Sequence, residues 1–373
     1  MRYFEREGVV PRPERDGAGH RRYSAADIEL IDMLVHLRTT GMPLSEIARF
    51  IGAHGADADA TRVRTELLEA HRRRIEARRT DLDRALDMIR RKLSSTAPLS
   101  TDPVRRLRRP DCTIAFSVRG DGPLLFLVGA PAGRSGFASL ANELATRFTV
   151  VTHDPRGTGE SGAVSGMAEP SPEVLADDLH ALVRRFTRDR ALFAGTSGGA
   201  VTVLELARRF PDLIDRAVLH EPPLIPLLDE PALEDRARHA FAMADDDPQS
   251  AAQEFLDLSG AGHRTAPGQT PPAHTPLPAL PDEEVERNRY FLGRMAGPSV
   301  FYAPDLHAAR RVPLTICAGA WSHQQMARRA SVALANALEL PLVDMPGSHL
   351  GPSIEPAEFG RALADLLEPR EGR

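Results

Sequence analysis

The stretch "LFAGTSGGAVTVLELA", Leu192 to Ala207, constrains the fold more than any other part of the sequence. It sets Ser197 between a short apolar run and a helical pattern, with glycines close on both sides. In a tight strand-to-helix turn, a Cβ atom at either glycine would collide with the neighbouring strand or helix. A serine held on such a turn is raised above a sheet, as acyl-transfer nucleophiles are. The stretch therefore predicts a strand–turn–helix unit with a reactive or ligand-binding hydroxyl at the turn.

Short apolar runs alternate with helical patterns from Cys112 onward. The runs are "CTIAFSVRG", "LLFLVG", "FTVVTHD", "RALFAG", "RAVLHE", "LTICAG" and "LPLVDMPG". Alternation of this kind predicts an α/β fold, with a mainly parallel sheet and helices on both of its faces. The less regular, turn-rich part predicts an inserted cap at about residues 222–304.

Four segments of this half resemble α/β-hydrolases, in the order in which that family has them. "GTSGG" matches the G-x-S-x-G nucleophile elbow, and it lies between a predicted strand and a predicted helix. "VVTHDPRGTGESG" resembles the loop D-x-R-G-x-G-x-S, "PDLIDRAVLHEPP" the next strand, and "MPGSHLGPSIEPAEFGRAL" the histidine loop. The resemblance runs from about Cys112 to Leu367 and implies an α/β-hydrolase domain over residues 112–370.

The resemblance implies roles for individual residues. Ser197 would be the nucleophile, His349 its base, and the backbone N–H groups of Gly198 and Ala130 an oxyanion hole. The family usually places its acid after the strand "PLTICAGA", where this chain has "WSHQQ" and no carboxylate. Glu221, in "LHEPP", is the candidate replacement, and the alternative is a structural carboxylate that accepts backbone N–H bonds. Because a missing acid can cost ~10⁴ in rate, we expect a pocket for a small, mostly apolar ligand with weak or absent turnover.

The first fifty residues resemble MerR-type regulators, whose pattern is roughly R-Y-Y-E-x-x-G-L followed by G-Y-R-x-Y-x-x-x-D. The counterparts here are Arg2, Tyr3, Phe4, Glu5, Gly8, Gly19, His20, Arg21, Tyr23 and Asp27. The match covers about Arg2–Ile51 and implies a helical DNA-binding domain over residues 1–52, a winged-helix remnant. The family has about a dozen further residues before this point, which form its first helix, the turn and most of the recognition helix. We therefore expect a truncated regulator, or a true start upstream of Met1, and weak or non-specific DNA binding.

Arginine-rich sequence between the predicted helices reads as a wing that meets DNA phosphates. The residues expected to contact DNA, on the wing or by the family match, are Arg2, Tyr3, Arg12, Arg15, Arg21 and Tyr23. The alternative is an exposed loop whose arginines contact only water.

Residues 57–95 read as one long polar helix with an apolar stripe that repeats every seven residues. The members of the stripe are Leu68, Ile75, Leu82 and Ile89. Such a stripe predicts a coiled coil and a homodimer. The alternative is a helix packed on its own domain. Residues 96–111, which contain proline and serine, read as a linker to the second domain.

Composition narrows the function class. The chain carries a net charge of −5 and has no apolar run near the ~18 residues of a membrane span. Cys112 and Cys317 are expected to be reduced and buried. No secretory signal, metal-ligand cluster or phosphate-binding loop is recognisable, so we expect a cytoplasmic protein with no membrane partner, metal or cofactor.

Together these patterns predict a multidomain MerR-like transcription regulator whose α/β-hydrolase-fold domain binds a small-molecule effector. One alternative is an esterase-like serine hydrolase that uses Ser197 and His349 and is dimerised by the N-terminal helix. A third possibility is a protein that hydrolyses its own effector.

Overall fold

The computed structural model describes most of the chain, and its contacts divide the chain into two compact units, Met1–Ala85 and Leu86–Arg373. The described residues are 14–15, 17, 21–53, 59–76, 78, 103–162, 166–272 and 274–368.

The first unit is helical apart from one small antiparallel pair. Strands β1 (Glu14–Arg15) and β2 (Arg21–Arg22) pair in the wing that the sequence predicts. Helices α1 (Ala25–Thr39) and α2 (Leu44–Gly52) follow, and residues 59–76 form helix α3, with residue 78 also helical.

Helix α3 packs on its own unit through one face only. Leu67 joins the small core of this unit, and His71 Nε2 lies 2.8 Å from Thr40 Oγ1. The two described members of the apolar stripe are not part of this core: Leu68 is 40% exposed and Ile75 is 39% exposed. Packing on its own unit therefore leaves these two side chains partly exposed. Its other two members, Leu82 and Ile89, lie outside the described residues.

The second unit is built on an eight-stranded sheet in the order β10-β9-β8-β7-β5-β6-β4-β3. All neighbours are parallel except the pairs β3–β4 and β4–β6, so the sheet is mainly parallel, as predicted. The strands are β3 (Arg105–Arg108), β4 (Thr113–Arg119), β5 (Leu124–Ala130), β6 (Thr149–His153), β7 (Ala191–Ser197), β8 (Ile214–His220), β9 (Leu314–Gly319) and β10 (Leu342–Met345).

Helices cover both faces of the sheet. Leu179, Val201 and Leu334 contribute to the core on one face, and Leu140 and Leu363 to the core on the other. The helices are α4 (Ala138–Leu144), α5 (Pro172–Phe186), α6 (Gly198–Arg209), α7 (Pro231–Ala242), α8 (Pro248–Ser259), α9 (Asp282–Tyr290), α10 (Gly297–Val300), α11 (Leu306–Ala309), α12 (Met326–Leu338), α13 (Gly351–Ile354) and α14 (Pro356–Leu367).

The inserted segment after β8 is helical. It contains α7, α8, α9 and α10, together with a π-helical stretch, Phe291–Ala296. Single-turn 3₁₀ helices at Gly159–Ser161, Pro211–Leu213 and Ile225–Leu227 complete the unit. No helix in the described parts of the chain is long and apolar enough to cross a membrane.

One expectation needs correction at the domain boundary. Residues 96–111 were expected to be a linker, but strand β3 (Arg105–Arg108) lies within them and pairs antiparallel with β4. Three of its four residues are exposed, so "RRLR" carries no apolar alternation that would identify a strand. Backbone pairing with β4 forms this edge strand, and Leu107 packs against the core of the sheet.

Candidate active site

The site is built around the turn between β7 and α6. Ser197 ends the strand with φ 53° and ψ −127°, a backbone conformation that residues other than glycine rarely adopt. A Cβ on Gly195 would stand 2.6 Å from a backbone atom of α6, and one on Gly199 would stand 2.1 Å from a carbonyl oxygen of β5. The close approach of strand and helix therefore requires glycine at both positions, as the sequence predicts.

Glu221 lies beside His349, although the two are 128 residues apart. Its Oε2 lies 2.6 Å from His349 Nδ1, and its Oε1 accepts a hydrogen bond from the Gly319 N–H at 2.8 Å. Glu221 follows β8 directly and is fully buried. A carboxylate at Nδ1 favours the tautomer with the proton on that nitrogen, which leaves Nε2 free to accept a proton.

Electrostatics keep this carboxyl group ionised. Burial is the largest single influence on the pKa of Glu221 and raises it, but the hydrogen bond from His349, the charges of the neighbouring imidazoles and the Ser322 hydroxyl together outweigh burial and lower the pKa to about 2. The neighbouring His220 is also fully buried, and burial lowers its pKa to about 4, so that its imidazole is neutral near pH 7. His349 is therefore the hydrogen-bonded partner of the negative charge.

Ala130 and Gly198 stand on either side of the serine. Ala130 is the register partner of Ser197 across strands β5 and β7. A Cβ on Gly198 would lie 2.9 Å from the Ala130 carbonyl oxygen, so the two backbones are in close contact. Gly198 opens helix α6, where the first N–H groups have no acceptor within the helix. Such groups can stabilise an anion.

Two cavities meet at this point. The inner cavity has a volume of about 240 Å³ and lies mainly among apolar side chains, including Pro223, Phe255, Leu256, Phe291, Val300 and Met326. The outer cavity has a volume of about 890 Å³ and is more polar, with Asp154, Glu283, Glu286, Arg287 and Tyr290 in its wall. Ser197 and His349 are in the lining of both cavities, at the place where the two cavities adjoin.

The wall of the outer cavity is attached to the cap. The hydroxyl of Tyr290, at the end of α9, donates to the Arg156 carbonyl oxygen at 3.1 Å. The guanidinium of Arg156 is buried and ion-pairs with Asp178 and Asp111. A Cβ on the next residue, Gly157, would stand 1.8 Å from the Tyr290 hydroxyl oxygen. The cap helix therefore rests directly on this loop.

Comparison with known proteins gives a family match for each of the two parts of the chain. A family model of the α/β-hydrolase fold matches residues 122–302, and models described as MerR HTH family regulatory protein and MerR, DNA binding match residues 1–53 and 28–92. An uncharacterized hydrolase of Bacillus subtilis, YraK, is 30% identical over 70% of this chain and 95% of its own length. The chain belongs to the α/β-hydrolases, with a MerR-type domain at its N-terminal end.

Further relatives support the same division. An uncharacterized HTH-type transcriptional regulator of Haemophilus influenzae is 31% identical over 25% of this chain and 70% of its own length. Among solved structures, an α/β hydrolase from Sphaerobacter thermophilus has a TM-score of 0.51 at 22% identity, over 71% of this chain and all of its own. A Nostoc hydrolase-fold protein has a TM-score of 0.54 at 16% identity, over 73% of this chain and all of its own. These structural likenesses bear on the fold of the hydrolase half.

The predicted DNA contacts of the MerR-type domain are described only in part. Arg15 and Arg21 are register partners on β1 and β2, and Tyr23 follows β2. The other three are Arg2, Tyr3 and Arg12, which lie outside the described residues.

Sequence reasoning missed several residues of the hydrolase half that border the site. Tyr290 anchors the cap, while Ser299 and Gln325 are buried polar residues in the wall of the inner cavity. They stand in cap and loop sequence without a recognisable motif, so only the three-dimensional arrangement identifies them. Among the described residues, no cluster of three or more His, Cys, Asp or Glu could hold a metal ion.

Proposed function

We propose that the chain is a MerR-type transcription regulator whose α/β-hydrolase domain binds a small, mostly apolar ester as its effector and hydrolyses it. The observation that carries this proposal is the hydrogen bond between the buried Glu221 and His349, which lines the same cavities as Ser197. The absence of a carboxylate after β9 was the reason to expect weak turnover. The buried carboxylate of Glu221, hydrogen-bonded to His349, supports turnover instead.

The proposed reaction is an acyl transfer to Ser197. His349 Nε2 accepts the proton as the serine oxygen attacks the ester carbonyl, and the ionised Glu221 stabilises the imidazolium that forms. The N–H groups of Gly198 and Ala130 donate to the oxyanion. His349 then returns the proton to the leaving alcohol. Water repeats the sequence on the acyl-enzyme and releases the acid.

The two cavities suggest how an ester would lie. The inner cavity is small and mainly apolar, which suits an acyl group of a few carbons. The outer cavity is larger and carries charged side chains in its wall, which suits the more polar alcohol part. In this orientation the ester carbonyl lies where the cavities meet, beside Ser197 and the two proposed N–H donors.

The regulatory half of the proposal depends on family membership and on the exposed stripe. The wing strands place Arg15 and Arg21 opposite each other, and with Arg2, Tyr3, Arg12 and Tyr23 they are the proposed DNA contacts. Leu68 and Ile75, half-exposed and seven residues apart, are proposed to be covered by the same helix of a second copy in a coiled coil over residues 57–95. Two copies would then present two wings to DNA.

One experiment tests both halves. Hydrolysis of p-nitrophenyl butanoate is measured for the wild type and Ser197→Ala, and the same proteins are tested by gel shift with the DNA upstream of their own gene. We expect turnover that Ser197→Ala abolishes, and a gel shift whose midpoint changes when the ester is added to Ser197→Ala. Turnover without any DNA binding would favour the alternative, a plain serine hydrolase. DNA binding without turnover would leave a sensor that does not consume its ligand.

A further inference from the structure

Two buried polar residues that the proposed reaction does not use, Ser299 and Gln325, line the inner cavity. Gln325 is 1% exposed and Ser299 is 3% exposed, and both line the cavity. Within the described part of the chain, Gln325 Oε1 and Ser299 Oγ have no hydrogen-bond partner. A buried polar atom left without a partner is costly, and such atoms are uncommon in folded proteins. Each is therefore a candidate contact for a ligand.

The orientation of the Gln325 amide follows from its neighbours. Its Nε2 donates to the His263 carbonyl oxygen at 2.9 Å and to Thr265 Oγ1 at 3.0 Å. A carbonyl oxygen can only accept, so the NH₂ end of the amide must face it. The end left without a partner is therefore the acceptor oxygen Oε1, which requires a hydrogen-bond donor.

Ser299 Oγ and Gln325 Oε1, the two atoms without a hydrogen-bond partner, belong to different elements of the cavity wall. Ser299 Oγ would lie 3.4 Å from a Cβ on Gly198, so it stands beside the proposed oxyanion hole and the reacting carbonyl. Gln325 lies on a different element of the same wall, at the start of α12 and next to Met326. Its partner would therefore belong to the acyl group that fills the inner cavity.

We infer that Gln325 Oε1 accepts a hydrogen bond from a hydroxyl group on the acyl part of the ligand, so that the site selects small hydroxyacyl esters. The inference rests on the proposed function in taking the ligand to be an ester. A charged ammonium donor is disfavoured because a mainly apolar cavity cannot replace its hydration. A hydroxyl is the smallest neutral donor, and a cavity of about 240 Å³ has room for it on a short chain.

The test compares two esters that differ by one hydroxyl, p-nitrophenyl butanoate and p-nitrophenyl 3-hydroxybutanoate. Their affinities are measured by calorimetry for full-length Ser197→Ala, which cannot consume them. We expect the hydroxylated ester to bind about 5- to 30-fold more tightly, as one buried hydrogen bond allows. Adding Gln325→Met, which keeps the side-chain length but removes the acceptor, should reduce this ratio to within about twofold.

A matched control separates ligand contact from support of the cap. Thr265→Val removes one partner of the Gln325 amide nitrogen and leaves Oε1 in place, so it should keep the preference. Equal affinities in Ser197→Ala, binding of neither ester, or a preference that survives Gln325→Met would each overturn the inference. Hydrolysis of both esters at equal rates by the wild type would overturn it while leaving the proposed function intact. A preference in binding without hydrolysis would support it and contradict only the catalytic part of the proposed function.

Discussion

At the scale of single residues, the decisive feature is Glu221, the buried carboxylate that directly follows β8 and lies 2.6 Å from His349 Nδ1. Replacing Glu221 by Gln keeps the shape and the acceptor for the Gly319 N–H but removes the negative charge. We expect kcat for p-nitrophenyl butanoate to fall by about 10²- to 10⁴-fold, with KM little changed, because the charge acts on the imidazolium formed in the reaction.

The pH dependence provides a control for this substitution. Because the pKa of Glu221 is held at about 2, its ionisation should not shape the pH–rate profile of the wild type above about pH 4. No pH at which the wild type is active should therefore reproduce the loss that Glu221→Gln causes. An activity close to that of the wild type would show that Glu221 is only a structural carboxylate.

A second residue-scale prediction concerns Asp111, just after β3. The backbone N–H of Ala168 and the guanidinium of Arg156 lower its pKa from 3.8 to about 2. A lowered pKa means that the ionised form stabilises the fold above about pH 4 and that this contribution is lost as the pH falls toward 2. Asp111→Asn should lower the free energy of unfolding by about 1–2 kcal/mol near pH 7.

The measurement is urea unfolding of both proteins at several pH values. The difference between wild type and Asp111→Asn should shrink steadily between about pH 4 and pH 2.5, where the wild-type carboxyl takes up its proton. A difference that is the same at every pH would mean that packing, and not charge, explains the effect of the substitution.

At the scale of elements, the contact between the cap and the loop after β6 is the sensitive point. Gly157 has φ +75°, and its missing Cβ leaves the space that the Tyr290 hydroxyl occupies. We expect Gly157→Ala to push helix α9 away from the loop, because both the backbone and the available space oppose the methyl group. KM for p-nitrophenyl butanoate should rise several-fold, and the hydrolase domain should lose about 1–3 kcal/mol of stability.

Tyr290→Phe is the matched comparison for the same contact. It removes the hydrogen bond to the Arg156 carbonyl but leaves the ring in place, so it should change KM much less than Gly157→Ala does. Equal effects of the two variants would show that the hydrogen bond, and not the close approach, positions the cap.

The sequence predicts elements well where apolar periodicity or glycine spacing is present. Every predicted strand from "CTIAFSVRG" onward is a strand of the sheet, and the elbow glycines meet the neighbours expected of them. Strand β3 was missed because an exposed, arginine-rich edge strand carries no hydrophobic signal. The partnership of Glu221 with His349 could be raised only as a possibility, since a contact across 128 residues depends on how the strands are ordered.

At the scale of the whole molecule, the exposed stripe on α3 predicts the oligomeric state. Leu68→Glu combined with Ile75→Glu puts charge where a second helix would pack, so we expect a dimer for the wild type and a monomer for the double variant. Light scattering coupled to size exclusion measures the mass directly. Ester hydrolysis should persist in the monomer, because the proposed catalytic residues all lie in the second unit.

The control for this prediction is Glu66→Lys, an exposed charge change two residues before Leu68 on a different side of the helix. It should leave the mass unchanged. A monomeric wild type, or a double variant that remains dimeric, would contradict the coiled-coil proposal while leaving the hydrolase domain unaffected.

Under the proposed function, the meeting of the two cavities at Ser197 would determine how long each response lasts. A receptor that cuts its own signal molecule at the junction would lose the alcohol through the wide, polar side. The carboxylate product would remain in the mainly apolar inner cavity, and because a charge is poorly stabilised there, its release is favoured as well. Each effector molecule would then act on the protein for only one catalytic cycle. Gene expression would follow the rate at which the signal is replenished, and the response would reset without a separate degrading enzyme.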